Sequence, residues 1–135
     1  MSADMDPQKL ISPALVEVSE TGAPHLKGGR CRACGALSFP KAAVCTECLS
    51  LDVETVRLPD EGRLYSYSIV HQAPKGWDVP YVLGYVDLPD GVRVLAHIDA
   101  PPASIAIDQK VRLSVGVVGA GPDGAPLSTY TFTPA

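Results

Sequence analysis

The chain is short of most features that would announce a function. Positive charge is in the minority, with 11 Lys and Arg against 15 Asp and Glu over 135 residues. That balance supplies no electrostatic footprint for nucleic acid or an anionic membrane, both of which favour clustered basic residues. Divided along the chain, residues 1–24 carry one base and four acids, 25–60 carry five and four, and 61–135 carry five and seven. No apolar run approaches the ~18 residues of a membrane span, and MSADMDPQKL lacks the basic and apolar regions of a signal peptide, so the expected compartment is the cytoplasm. There is no G-x-S-x-G elbow, P-loop, dinucleotide fingerprint or H-E-x-x-H, no internal repeat and no low-complexity tract. The three histidines, His25, His71 and His97, are scattered, without a carboxylate or nucleophile at a spacing that would make either of the last two a general base. The length is enough for one modest core with a small module beside it.

What is present is concentrated. All four cysteines fall in CRACGALSFPKAAVCTEC, as Cys31/Cys34 and Cys45/Cys48 with ten residues between the pairs. Each C-x-x-C can form a knuckle whose backbone N–H groups point at thiolate sulfur, and Gly35 supplies a permissive backbone just after the first. Two knuckles complete a tetrahedral four-thiolate site. Disulfides are disfavoured by a reducing compartment and by the small loop a C-x-x-C bridge closes, and a redox C-x-x-C needs no second pair. Zinc is the expected metal, with a rubredoxin-type iron as the rival that spacing does not separate from it. Either way the coordination sphere is closed, so the metal has a structural role. The intervening loop presents Phe39 and Pro40, which must pack on the rest of the chain or on a partner.

The remainder reads as mainly β. Residues 1–24 form an N-terminal arm, with a short helix expected around residues 13–18, Ser12 as N-cap and Pro13 at its first position. Residues 25–60 form the ribbon, its knuckles framed by strands at HLKGGR and LDVETVRL. Residues 61–135 hold five strand-like segments, GRLYSYSIVHQ, PYVLGYVDL, VRVLAHID, KVRLSVGVV and PLSTYTFTP, parted by turn residues. In the third, Val92, Val94, Ala96 and Ile98 should face inward, leaving His97 on the opposite face. In the fourth, Val111, Leu113, Val115 and Val117 should share a face against Lys110, Arg112 and Ser114. The PDG at 89–91 predicts a tight hairpin between the second and third. Five short strands with a longer connection after the third fit an OB-fold barrel, with a Greek-key sandwich as the alternative. In the loop HQAPKGWDVPY, Trp77 could stack on a base while Lys75 neutralises a phosphate, or it could fold back to cover the barrel mouth.

The ordered combination of RCRACG, FP at Phe39 and Pro40, CTEC, GRLYSYSIVH, PYVLGYVDL and TYTFTP resembles the DUF35 family, a rubredoxin-like zinc ribbon followed by an acyl-CoA-associated OB-fold. The resemblance covers the chain from about residue 25 onward. It implies a non-catalytic subunit of a heteromeric thiolase or thiolase-like enzyme, required for acyl-CoA C–C bond chemistry but leaving the catalytic cysteine to its partner. The ligands implied are a structural Zn2+, held by Cys31, Cys34, Cys45 and Cys48, and a coenzyme A thioester shared with the catalytic subunit. Candidate contacts to partner or CoA, chosen by position, are Phe39, Pro40, Lys41, His71, Lys75 and Trp77. A nucleic-acid-binding ribbon/OB module is the alternative, disfavoured by the acidic barrel and by aromatics not interleaved with Lys or Arg. An independent iron-containing electron carrier is a third.

Overall fold

The computed structural model describes residues 15–19 and 21–135. Its described elements are nine strands and a single turn of 3-10 helix at Pro102–Ser104. The first four strands are β1 (Val16–Val18), β2 (Pro24–Cys31), β3 (Leu37–Ser38) and β4 (Val53–Arg57). They build one antiparallel sheet around β2, which pairs with β1 near its start and with β3 and β4 further on. The framing strands expected at HLKGGR and LDVETVRL are β2 and β4. The expected helix is corrected: Val16–Val18 are extended, with Val16 and Val18 opposite Leu26 and Pro24, while residues 12–14 lie outside the described residues. Val16 is β-branched and alternates with exposed Glu17, so the unpaired edge of β2 outweighs the local helix-start signals.

The other five strands are β5 (Glu61–Val70), β6 (Tyr81–Asp87), β7 (Arg93–Ile98), β8 (Lys110–Ala120) and β9 (Pro126–Pro134). They close into a barrel in the order β5-β6-β7-β9-β8, with β8 returning to β5. Antiparallel pairing prevails except between β7 and β9, which run parallel for only two residue pairs, His97 with Thr131 and Ile98 with Phe132. This is the five-stranded OB arrangement. The β6–β7 hairpin turns at the expected PDG, where the Leu88 N–H donates to the Val92 carbonyl at 2.9 Å.

Val92, Val94, Ala96 and Ile98 are all buried, as their alternation requires. On β8 the alternation fails at its end: Val117 is 50% exposed and Val118 is buried, because a bulge between Val117 and Gly119 turns the strand over. Phe132, Leu64, Val86 and Val111 fill the barrel, and Val16, Leu26 and Leu58 from the ribbon side join the same hydrophobic cluster. Ribbon base and barrel therefore share one core. Phe39 seals the join, packing against that cluster with its ring edge-on to Tyr130 at 5.7 Å between centroids.

Candidate functional site: a four-cysteine ribbon on an OB barrel

The knuckles are built by paired turns. At the end of β2 the chain reverses so that the Gly35 N–H donates to the Cys31 carbonyl at 2.8 Å. In the second knuckle Leu49 N–H does the same to Cys45 at 2.9 Å. The residue after each second cysteine must take a left-handed backbone, φ +80° at Gly35 and +64° at Leu49. Glycine adopts that region freely; leucine does so at a cost.

The four sulfurs lie within 4.8 Å of one another. Cys31 and Cys48 sulfurs are 3.5 Å apart, as are those of Cys34 and Cys45, and none is joined in a disulfide. A tetrahedral zinc with Zn–S near 2.3 Å needs sulfurs roughly 3.8 Å apart, so the set fits such an ion. Electrostatics agree. The Cys34 N–H chiefly, with that of Ala33, draws the Cys31 thiol down to about 6, and the N–H groups of Cys48 and Glu47 lower Cys45. For Cys34 the Ala36 N–H is outweighed by the neighbouring sulfurs of Cys45 and Cys48, which push it up to about 12. Cys48 rises similarly: its Ser50 N–H is overcome chiefly by the Cys31 sulfur. Four thiolates this close repel one another until a cation neutralises them. Cys31, Cys34, Cys45 and Cys48 would hold that cation with no open position, and its contribution would be to fold the knuckles.

The positional candidates separate. Phe39 turns inward onto the barrel, whereas Pro40, after a cis peptide bond, and Lys41 remain exposed; the Lys41 ammonium donates to Thr55 Oγ1 at 3.1 Å. His71 and Lys75 are exposed in the loop after β5. Residues 76–78 zip onto the end of β8, with Asp78 N–H donating to Val118 and Ala120 N–H to Gly76. Gly119 permits this, since a Cβ there would run into the Gly76 backbone. The Trp77 ring thereby stacks on His97, centroids 5.6 Å apart and planes 5° from parallel, and Tyr81 lies 4.5 Å from the same imidazole.

Residue patterns alone missed two features. The second knuckle exposes Val44, Leu49 and Leu51, the two leucines at 76% and 78%. The sequence signal was the leucine after Cys48 where glycine follows Cys34. The other feature is the surrounding of His97, assembled from strands far apart in the chain.

A closed four-sulfur ribbon sharing a core with an OB barrel defines a two-module scaffold class. Comparison with known proteins narrows it. The model of the ChsH2 rubredoxin-like zinc ribbon domain matches residues 21–54, and that of the ChsH2 C-terminal OB-fold domain matches residues 55–116. The chain is 42% identical over 121 residues to the benzoylsuccinyl-CoA thiolase subunit BbsA of Thauera aromatica, covering 89% of this chain and 84% of that protein. It is 33% identical over 114 residues to a DUF35 domain-containing scaffold protein of Methanocaldococcus jannaschii, covering 81% of each. Among solved structures it resembles the Ltp2-ChsH2(DUF35) aldolase at TM-score 0.67 and 31% identity, over 82% of this chain and 84% of that one. The chain belongs to the DUF35 family. Among the described residues no helix is long and apolar enough to cross a membrane.

Proposed function

We propose that this chain is the non-catalytic zinc-holding subunit of a heteromeric thiolase or thiolase-like enzyme, docking on the catalytic subunit and helping to enclose and orient an acyl-CoA substrate. The observation that carries the reading is the use of the thiols. Thiolase chemistry needs a free cysteine nucleophile, and all four cysteines of the chain converge on one closed site. Kinship along the whole two-module span with a protein named as a thiolase subunit supports placing the nucleophile in a partner. A scaffold of this kind accelerates a reaction by positioning a long substrate and excluding water, without a reacting group of its own. The exposed knuckle residues Leu49 and Leu51, with Pro40 and Lys41, are the surface best suited to docking.

Nucleic-acid binding is disfavoured by how the arginines are spent. Arg30 is held by Glu54, Arg57 by Glu17, Arg93 by Asp87 and Arg112 by Glu61, all at 3.0 Å or less. Arg93 also lies 3.6 Å over the Tyr65 ring, so its guanidinium is engaged on both sides. Co-expression with a thiolase-like chain tests the proposal: a stable hetero-complex is expected, and a monomer that catalyses thiolysis by itself would contradict it.

A further inference from the structure

The four cysteines of the ribbon differ in how far solvent reaches them. Cys31 and Cys45 are buried, at 2% and 4% exposure, whereas Cys34 and Cys48 are exposed. Each of the 3.5 Å sulfur pairs, Cys31 with Cys48 and Cys34 with Cys45, joins one residue of each kind across the two knuckles. An accessible thiolate beside a second cysteine is the arrangement in which peroxide oxidation ends in a disulfide, because the neighbour captures the sulfenic acid before it oxidises further.

The fold confines what such oxidation would change. The core shared by ribbon base and barrel contains no cysteine, so the ion would hold the knuckles and not the barrel. Cys48 directly precedes Leu49, and Leu51 follows two residues on, both strongly exposed. Each bridge would consume two of the four thiolate ligands, so bridges and ion exclude each other. Loss of the ligands therefore reaches the apolar surface of the second knuckle and spares the barrel.

We propose that the ribbon is a reversible peroxide-sensitive switch, in which the cross-knuckle disulfides Cys31–Cys48 and Cys34–Cys45 replace the metal and dismantle the exposed surface of the second knuckle. The oxidant is hydrogen peroxide. The Cys48 thiolate attacks one peroxide oxygen, the O–O bond breaks, and hydroxide leaves a sulfenic acid on Cys48. The Cys31 thiolate then attacks that sulfur, forming the S–S bond and expelling a second hydroxide. Cys34 and Cys45 repeat the sequence with a second peroxide. For each pair, two thiolates and one peroxide give one disulfide and two hydroxides; each sulfur gives up one electron and the two peroxide oxygens take them. A dithiol reverses the step by thiol–disulfide exchange and restores the four ligands. Resting on the reading of this knuckle as the docking surface, the oxidised chain parts from its catalytic subunit.

The test begins with the zinc-loaded chain alone and a small excess of hydrogen peroxide. One zinc per chain should pass to a chromophoric chelator only after peroxide, peptide mapping should find Cys31–Cys48 and Cys34–Cys45, and dithiothreitol with added zinc should restore the starting state. The single tryptophan, Trp77, is bridged to Gly119 of the barrel, so its emission should not move. Retained zinc, bridges within a knuckle, sulfinic acids that dithiothreitol leaves in place, or a shifted Trp77 emission would overturn the switch. Reduced and oxidised chains are then compared for binding to the catalytic subunit, where oxidation should weaken association at least about tenfold, the share of one buried leucine. Equal affinity would overturn the coupling to docking. A reduced chain that never associates refutes the docking reading alone, since zinc release and disulfide mapping are read without a partner.

Discussion

Replacing Leu49 by glycine should separate the knuckle's structural role from its role as a surface. Leu49 holds φ at +64° and is 76% exposed, in the position that Gly35 occupies in the first knuckle. Relieving a left-handed non-glycine residue gains about 1–2 kcal/mol. The added freedom of glycine in the unfolded chain takes back about 0.4–1 kcal/mol. The net change is a gain of between about 0 and 1.6 kcal/mol, so the melting point should hold or rise by up to about 6 °C for a domain of this size. At an interface the same side chain, fully buried, contributes about 1.5–3 kcal/mol, so Leu49→Gly should weaken association with the catalytic subunit roughly 10- to 100-fold. Scanning calorimetry of the zinc-loaded chain reads the first quantity, and titration calorimetry against the purified catalytic subunit the second. A melting point that falls by more than a degree or two would make Leu49 structural; unchanged affinity would remove the knuckle from the docking surface.

Other perturbations probe the remaining parts. Cys45→Ser should lose stoichiometric zinc by elemental analysis and destabilise the ribbon; full zinc with native stability would refute four-thiolate ligation. Phe39→Ala removes the edge-on contact with Tyr130 at the join of ribbon and barrel and should cost about 2 kcal/mol in denaturant titration, less than a fully buried phenylalanine because Phe39 is only half-buried. Gly119→Ala should drive the 76–78 segment off β8 and unstack Trp77 from His97, read as a red-shifted tryptophan emission. Burial depresses the folded His97 pKa below its ordinary 6.5, so the unfolded chain takes up the proton first. The resulting stability is present above about pH 6.5 and is lost as pH falls from there toward the depressed folded pKa, and His97→Gln should flatten that slope in a pH series of melts.

Local pattern carried far where one periodicity ran uninterrupted. Val92 to Ile98 alternates cleanly and every second residue is buried. Likewise, two C-x-x-C pairs place four sulfurs together because each knuckle closes by bonds between near neighbours. Pattern failed where a distant strand decides. Val16–Val18 had helix-start residues upstream, yet they extend because β2 offers an edge. Val117 belonged to an alternating run, and a bulge whose register is set against β9 turns it outward. The loop aromatic Trp77 was visible as a candidate, but its partner His97 was not, since β6, β7 and the end of β8 must first be brought together.

The central claim is that this chain assists a partner's acyl-CoA chemistry and performs none alone. Thiolysis should therefore be measured for the thiolase-like subunit with and without this chain, and for this chain by itself. The account predicts full activity only for the mixture and none for this chain alone; activity in the isolated chain, or a catalytic subunit indifferent to its addition, would contradict it.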